Sequence, residues 1–271
     1  MKISVVIPAY NEEKYLKQCL ASLKKQEVKP DEIIVVDNNS TDRTAQIAKK
    51  FGVIVLKESR QGITYARNRG FDEAKYEIIA RCDADTILPP NWIKRIKADF
   101  QRKRMPDAIL GLVEFYDMEM PAFPPYFVTM VFKFYVGTLK KLMGHYPLNG
   151  PNMLITKDIW KKMGKKVCLD DSQVHEDIDL SIHIHKAGGN IVFDEKLMAK
   201  FSARRIKNNP DSFFLEYPDR VEKTIKLHYP ITLESKVLIL NAKIFWQGIH
   251  KMYSFINASK AILSSGEKSG N

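Results

Sequence analysis

Asp83-Ala84-Asp85 follows a short apolar run and is the feature of this sequence best suited to chemistry. In extended backbone, residues two apart project to the same side. Both carboxylates are therefore expected to converge, with only a small alanine between them. Hard divalent ions take oxygen ligands and are held against phosphates by only one or two protein carboxylates. The pair suits Mg2+ or Mn2+ set against a diphosphate. A metal there would offset the charge gathering on a departing nucleoside diphosphate. An acidic surface turn has the same composition, so the weight rests on what accompanies the pair.

Three further groups accompany it. Asp37 closes the apolar run Val35-Val36-Asp37, where a carboxylate can accept a hydrogen bond from a base N–H such as uracil N3–H. Asn38 to Asp42 read as a turn, with Ser40, Thr41 and Asp42 as cap residues for the next helix. Arg67 and Arg69 fall on one helical stretch. Residues two apart on a helix do not face alike, so at most one addresses a ligand. Arg67 is the candidate, either touching a phosphate or holding the acidic pair. Downstream, His175-Glu176-Asp177 opens another helix. Acids in a first turn suit the helix dipole. Their chemical reading is a general base: sugar transfer with inversion needs a carboxylate to take the acceptor hydroxyl proton opposite the leaving group. Adjacent helical side chains diverge by about 100°, so the two cannot share that task. Asp177 is assigned the base, and Glu176 the orientation of acceptor or loop. The six histidines form no metal-binding spacing, and Cys19, Cys82 and Cys168 form no CxxC pair. Neither a zinc site nor a disulfide framework is expected. A reducing, cytoplasmic setting is.

These groups need elements to position them. Strand-like runs at Ile3–Ile7, Glu32–Val36, Val53–Leu56 and Tyr76–Cys82 alternate with helical patterns over Glu13–Lys25, the stretch ending near Phe51, and Gly62–Ala74. Such alternation implies a parallel sheet with helices on both faces. Ligands of such sheets bind beyond the carboxyl ends of the strands. The residues there are Pro8, Ala9, Tyr10, Asn11 and Glu12, then Asp37, Asn38, Asn39 and Ser40, then Asp83, Ala84 and Asp85. Farther on, Pro121–Met143 reads as a buried or interfacial helix. Asn152–Thr156 and Ile191–Phe193 read as short strands, and Glu176–Ala187 as a helix closed by Gly188-Gly189. A long helical stretch follows Pro230, and the polar tail from Ser264 is expected to be disordered.

The chain has 271 residues, 45% of them hydrophobic, and a net charge of +11. That composition excludes a disordered chain and permits a substantial core. The basic balance points to anionic partners. From Lys196 onward there are 13 Lys+Arg against 6 Asp+Glu. Lys236, Lys243, Lys251 and Lys260 alternate with Val237, Leu240, Ile244, Phe245, Ile249, Met252, Tyr253, Ile256 and Ile262. This is the pattern of a basic amphipathic helix lying on an anionic membrane; packing on the rest of the chain or on a second subunit is the alternative. The N-terminal run is broken by Pro8 and followed by acids, so it reads as a strand rather than a signal peptide. No run reaches the length of about 18 apolar residues that a spanning helix needs. There is no GxGxxG after the first strand, which argues against a dehydrogenase. No nucleic-acid module is recognised, and acids sit where phosphates would approach, so no nucleic-acid partner is expected. A non-catalytic nucleotide-sugar or nucleic-acid binder is the competing reading.

Taken in order, Val5-Val6-Ile7-Pro8-Ala9-Tyr10-Asn11-Glu12, Val35-Val36-Asp37 with Ser40 and Asp42, Ala66-Arg67-Asn68, Asp83-Ala84-Asp85, and Gly150-Pro151-Asn152-Met153 followed by Glu176-Asp177 resemble a family 2 glycosyltransferase over residues 1 to 205. The resemblance implies an α/β protein of GT-A fold: a Rossmann-like, mostly parallel central sheet flanked by helices, here with C-terminal amphipathic helices. It implies inversion by direct displacement, with a nucleotide-sugar donor and Mn2+ or Mg2+. Carried over, Pro8, Tyr10 and Glu12 line the nucleotide pocket with Ala9, Asn39, Arg67 and Ala84. Asp37 reads the base, Asp83 approaches ribose or metal, Asp85 binds the metal, and Asp177 is the base. The QxxRW of processive synthases is absent, which favours transfer of a single sugar. Arg204-Arg205 is the nearest basic feature and a candidate diphosphate contact. The expected division is a catalytic domain over 1–228, an amphipathic extension over 229–263 and a tail over 264–271. The acceptor is unknown, with a lipid-linked or cell-envelope glycan in view if 231–263 meets the membrane.

Overall fold

The computed structural model describes residues 1–101, 105–118, 127–163 and 166–268. The chain divides into two compact units, Met1–Ala203 and Arg204–Asn271.

The first unit is built on β1 (Ile3–Ala9), every residue of which is buried. A strand covered on both faces needs a continuous apolar run rather than an alternating one, and ISVVIPA supplies it. Strands β2 (Glu32–Asp37), β3 (Ile54–Lys57) and β4 (Ile78–Arg81) join it in parallel. The register sets Ala9 beside Asp37 and Val6 beside Arg81, so the strand ends that bear chemistry lie side by side. Helix α1 (Leu16–Lys24) turns Leu16, Cys19, Leu20 and Leu23 onto one face of the sheet. Helix α2 (Thr44–Lys50) adds Ala48 to that core. Helix α3 (Ile63–Glu73) covers the other face with Ala66 and Phe71.

The sheet continues through β5 (Thr86–Ile87), β6 (Ala108–Phe115), β7 (Met153–Thr156) and β8 (Ile191–Phe201), in the order β3-β2-β1-β4-β7-β6-β8-β5. Strand β7 runs antiparallel between β4 and β6, β8 is parallel to β6, and β5 is antiparallel to β8. Helices α4 (Trp92–Asp99), α5 (Phe127–Met143), α6 (Lys157–Met163) and α7 (Glu176–Lys186) complete the unit.

Asn152 ties this second half together. Its Nδ2 donates to the carbonyls of Leu112 at 2.9 Å and Leu197 at 2.8 Å, and its Oδ1 accepts from Trp92 Nε1 at 2.9 Å. A Cβ on Gly111 would stand 2.2 Å from Asn152 Nδ2, so the strand that passes this side chain must carry glycine. At the same place the register slips: Gly111 faces Asp194, and Leu112 faces Met198. The sequence pattern ends this strand at Phe193 because Asp194, Glu195 and Lys196 break its apolar character. Asp194 still pairs with Gly111, Glu195 to Leu197 bulge out of register, and the strand resumes beyond them to Phe201. Of the expected helix Pro121–Met143, residues 127–143 are helical, and 121–126 lie outside the described residues.

The second unit holds α8 (Arg204–Asn208), a π-helical turn at Ser212–Glu216, α9 (Tyr217–His228) and α10 (Leu233–Lys268). Phe213 and Phe214 from the turn pack on Trp246, and Phe214 also on His250 and Tyr253. These ring contacts bind residues 204–228 to α10. By compactness the division falls at 203/204. Helix α10 runs unbroken to Lys268, since no proline stops it and each added residue costs little once a helix is formed; residues 269–271 lie outside the described residues. No helix among the described residues is long and apolar enough to cross a membrane.

Replacing Asn152 by alanine leaves the Trp92 N–H and two carbonyls buried without partners. Urea unfolding is expected to show a loss of about 3 kcal/mol, from roughly 1 kcal/mol or more per stranded group. A loss below about 1 kcal/mol would show that Asn152 does not hold the seam.

Candidate active site

The site is organised by a residue that the sequence reading passed over. Arg81 ends β4, and its side chain is 2% exposed. Its guanidinium meets three carboxylates: Nη1 donates to Asp177 Oδ1 at 2.7 Å, Nη2 donates to Asp83 Oδ1 at 3.1 Å, and Nη2 lies 3.7 Å from Glu176 Oε1. Burial works against its charge, but Asp177, Asp83 and Glu176 outweigh it and raise its pKa above the ordinary value. Gly150, in the 3-10 turn Gly150–Asn152 before β7, makes room for this group. A Cβ there would stand 2.5 Å from Arg81 Nη2 and 3.1 Å from Asp83 Oδ1. The Gly150 N–H also donates to Asp177 Oδ2 at 2.7 Å. One turn thus clears a path for the guanidinium and anchors its main partner.

Glu176 and Asp177 open α7, where acids suit the helix dipole. Both oxygens of Asp177 are engaged, and its side chain is 4% exposed. Glu176 is more open, at 13%. Burial raises its pKa, but His175, Arg81 and Arg67 more than reverse this and hold it below the usual carboxylate range. Arg67 is fully buried and donates from Nη1 to the Glu176 carbonyl at 2.8 Å. Burial, then Arg81, lowers its guanidinium from the ordinary value, against the pull of Asp177, Glu176 and Asp179. Arg67 thus tethers the start of α7 through that backbone carbonyl.

Asp83 and Asp85 lie within electrostatic reach of each other, though not on extended backbone. They sit in a tight turn closed by Thr86 N–H donating to the Asp83 carbonyl at 3.0 Å. Burial first, then Asp85, Asp177 and Glu176, push the Asp83 carboxyl up to about 7, against the pull of Arg81. Its side chain keeps 35% of its surface, so solvent moderates that shift. Carboxylates crowded until one favours its proton are the setting that a divalent cation relieves, and the oxygen donors match Mn2+ or Mg2+. Ala84 is buried between them. Tyr116, just past β6, lies within electrostatic reach of Asp85, and burial raises its phenol pKa.

The neighbouring strand ends form a second rim. Asp37 is 8% exposed, and Oδ1 accepts the Ser40 N–H at 3.2 Å; Oδ2 has no partner among the described residues. Asn38 is spent on structure: its Nδ2 donates to the carbonyls of Glu58 and Arg60, and its Oδ1 accepts the Gly62 N–H. Asn11 and Asn39 adopt positive φ of 54° and 61°, a conformation that asparagine tolerates. Asn11 and Ser40 cross-link the two loops: the Asn11 N–H donates to Ser40 Oγ, and the Thr41 N–H to Asn11 Oδ1. Pro8 and Ala9 are buried strand residues, Tyr10 is 50% exposed, and the Glu12 carbonyl accepts from Leu16 N–H as α1 begins. Arg204 and Arg205 belong to the second unit, where Arg205 donates to Ser212 Oγ at 3.4 Å and stands over the Tyr217 ring. The signal for Arg81 was present in Ile78-Ile79-Ala80-Arg81: a cation ending a buried strand demands counter-ions.

Three comparisons bear on this geometry. Residues 4–162, more than half the chain, match Glycosyl transferase family 2, and the chain belongs to that family. The glycosyltransferase GlyG of Streptococcus pneumoniae is 36% identical over 121 residues, covering 42% of this chain and 40% of GlyG. This chain spans less than half the length of the curated relatives it matches. Its architecture is that of GT-A glycosyltransferases. The mannosyltransferase PcManGT from Pyrobaculum calidifontis, in complex with GDP-Man and Mn2+, aligns over 100% of this chain and 76% of its own, with a TM-score of 0.66 at 16% identity. S. aureus TarS, residues 1–349 with UDP-GlcNAc, aligns over 88% and 70%, with a TM-score of 0.60 at 20% identity.

Gly150→Ala is expected to displace Arg81 and lower stability by about 2 kcal/mol, as overpacking does, with weaker binding of Mn2+ together with a nucleotide. Unchanged unfolding and binding would show that the site tolerates a Cβ there. A second expectation concerns pH. With the Asp83 pKa near 7, a metal must displace a proton below that value. Mn2+ affinity should fall by up to about tenfold per unit as pH drops from 7 toward 5. Calorimetry in buffers of different ionisation enthalpy would report the proton released, and pH-independent affinity would contradict the assignment.

Proposed function

We propose that this protein transfers a single sugar from a nucleotide-sugar donor to an acceptor hydroxyl, with inversion at the anomeric carbon. The observation that carries the reading is the joining of two acidic pairs, Asp83/Asp85 and Glu176/Asp177, by Arg81 at the carboxyl end of the sheet.

The donor's base is held at Asp37, whose open Oδ2 accepts an N–H. UDP is the first choice of nucleotide, since uracil N3–H suits a single carboxylate oxygen. Tyr10, exposed at the rim, offers a ring face to the base, and Pro8, Ala9, Glu12, Asn39 and Ala84 shape the pocket around it. Asp85 and Asp83 are the ligands for Mn2+ or Mg2+, which when bound offsets charge on the leaving diphosphate.

On the acceptor side, Asp177 takes the hydroxyl proton as the new glycosidic bond forms and the bond to the diphosphate breaks. A carboxylate has about four acceptor positions, and Arg81 and Gly150 use one on each oxygen. They fix the group and leave it the capacity for one more partner. Glu176, held anionic, orients the acceptor.

Two substitutions separate these roles. Asp177→Asn should lower kcat by roughly 10²–10⁴-fold while nucleotide binding survives. Glu176→Gln should act mainly on acceptor KM. Slow hydrolysis of UDP-, GDP- and dTDP-sugars supplies the readout before the acceptor is known. If both variants hydrolyse donor at the native rate, the pair is not catalytic and the reading fails.

A further inference from the structure

The second unit carries an apolar line that its own helices leave uncovered. Helix α10 packs inward through Ile239 and Ile249, with Trp246, His250 and Tyr253 against Phe214. Leu233, Val237, Leu240 and Ile244 follow at steps of four, three and four, which keeps them in one row along a helix. They are 79%, 49%, 57% and 58% exposed. At about 100° per residue that row lies on the side away from Trp246 and Ile249. Lys251 extends it, and Lys236 flanks it. The side chains of Phe245, Ile256, Lys260 and Ile262, which the sequence pattern also offered, lie outside the described residues.

Charge decides what covers the row. Residues 204–271 hold 11 Lys+Arg and 6 Asp+Glu. Several of these acids are spent internally: Asp219 and Glu222 pair with Lys243, Glu222 also with Lys226, and Asp211 lies against His250. Lys236 and Lys251 are exposed and make no ion pair among the described residues. An apolar row bordered by free cations is complementary to an anionic surface with an apolar interior. A second copy of the chain would bring two positively charged units together over a row of four side chains, a poor basis for a dimer.

We infer that α10 lies flat on an anionic lipid bilayer, with Leu233, Val237, Leu240 and Ile244 in the acyl boundary and Lys236 and Lys251 among the headgroups. The docking is a property of the second unit and stands apart from the sugar-transfer reading.

The test uses the full chain and its Leu240→Glu/Ile244→Glu variant. Both positions are exposed, so the fold is retained, and equal nucleotide-induced thermal shifts verify this. Flotation is measured with vesicles of phosphatidylcholine alone and with about one-third phosphatidylglycerol, at low and high salt. The native chain should float with the anionic vesicles, and the variant's bound fraction should fall by about tenfold or more. Equal flotation of the two proteins, or equal binding to neutral vesicles, overturns the inference. So does a native dimer by light scattering that the variant converts to monomer, since a second copy is then the occupant.

Discussion

A guanidinium cannot be buried without counter-charge, and the burial of Arg81 governs the site. Its three carboxylate partners come from two segments far apart in sequence, the turn after β4 and the start of α7. Satisfying one cation therefore fixes where the acidic turn stands relative to the helix that carries the proposed base. The surrounding choices follow from that constraint. Gly150 clears the path, its N–H takes the second oxygen of Asp177, and Arg67 pins the carbonyl of Glu176 from below. Buried pairs of this kind add little net stability over an apolar core, yet breaking one is costly. That asymmetry suits a site that needs its charges held still more than it needs them to stabilise the fold.

The same constraint divides labour among carboxylates that would otherwise repel one another. Asp177 is held at both oxygens, His175, Arg81 and Arg67 lower the pKa of Glu176, and burial with neighbouring acids raises that of Asp83. The group with the most to gain from a divalent ion is thus the one in the acidic turn. The open oxygen of Asp37 lies on the adjacent strand end, at a place set by the pairing of Ala9 with Asp37. The groups proposed for base recognition, metal binding and proton removal so fall along one edge of a single sheet.

Much of this was legible in the sequence where structure is local. Strands β1, β2 and β4 appear as largely apolar runs because both their faces are covered, and the GT-A fold and family follow from the motifs at the strand ends. Helical geometry already set Arg67 and Arg69 on different faces, and of the two Arg67 is buried. What escaped depends on contacts between distant residues. The bulge after Asp194 hid the second half of β8, because its polarity makes sense only beside Gly111 and Asn152. The unit boundary at 203/204 rests on Phe213 and Phe214 meeting Trp246. The turn at Asp83 looked extended because a strand precedes it, and the role of Arg81 depends on carboxylates that lie far from it in sequence.

The central claim is that Arg81 and Asp177 act as one unit joining the two acidic pairs. A double-mutant cycle on urea unfolding, with Arg81→Met, Asp177→Asn and the combined variant, tests it most directly. Each single change should cost about 3–5 kcal/mol by stranding a buried charge. The combined variant should be no worse than either, giving a coupling of about 3 kcal/mol, at the upper end for residues in contact. Additive losses would show that the two residues are stabilised by other partners, and that the bridge does not organise the site.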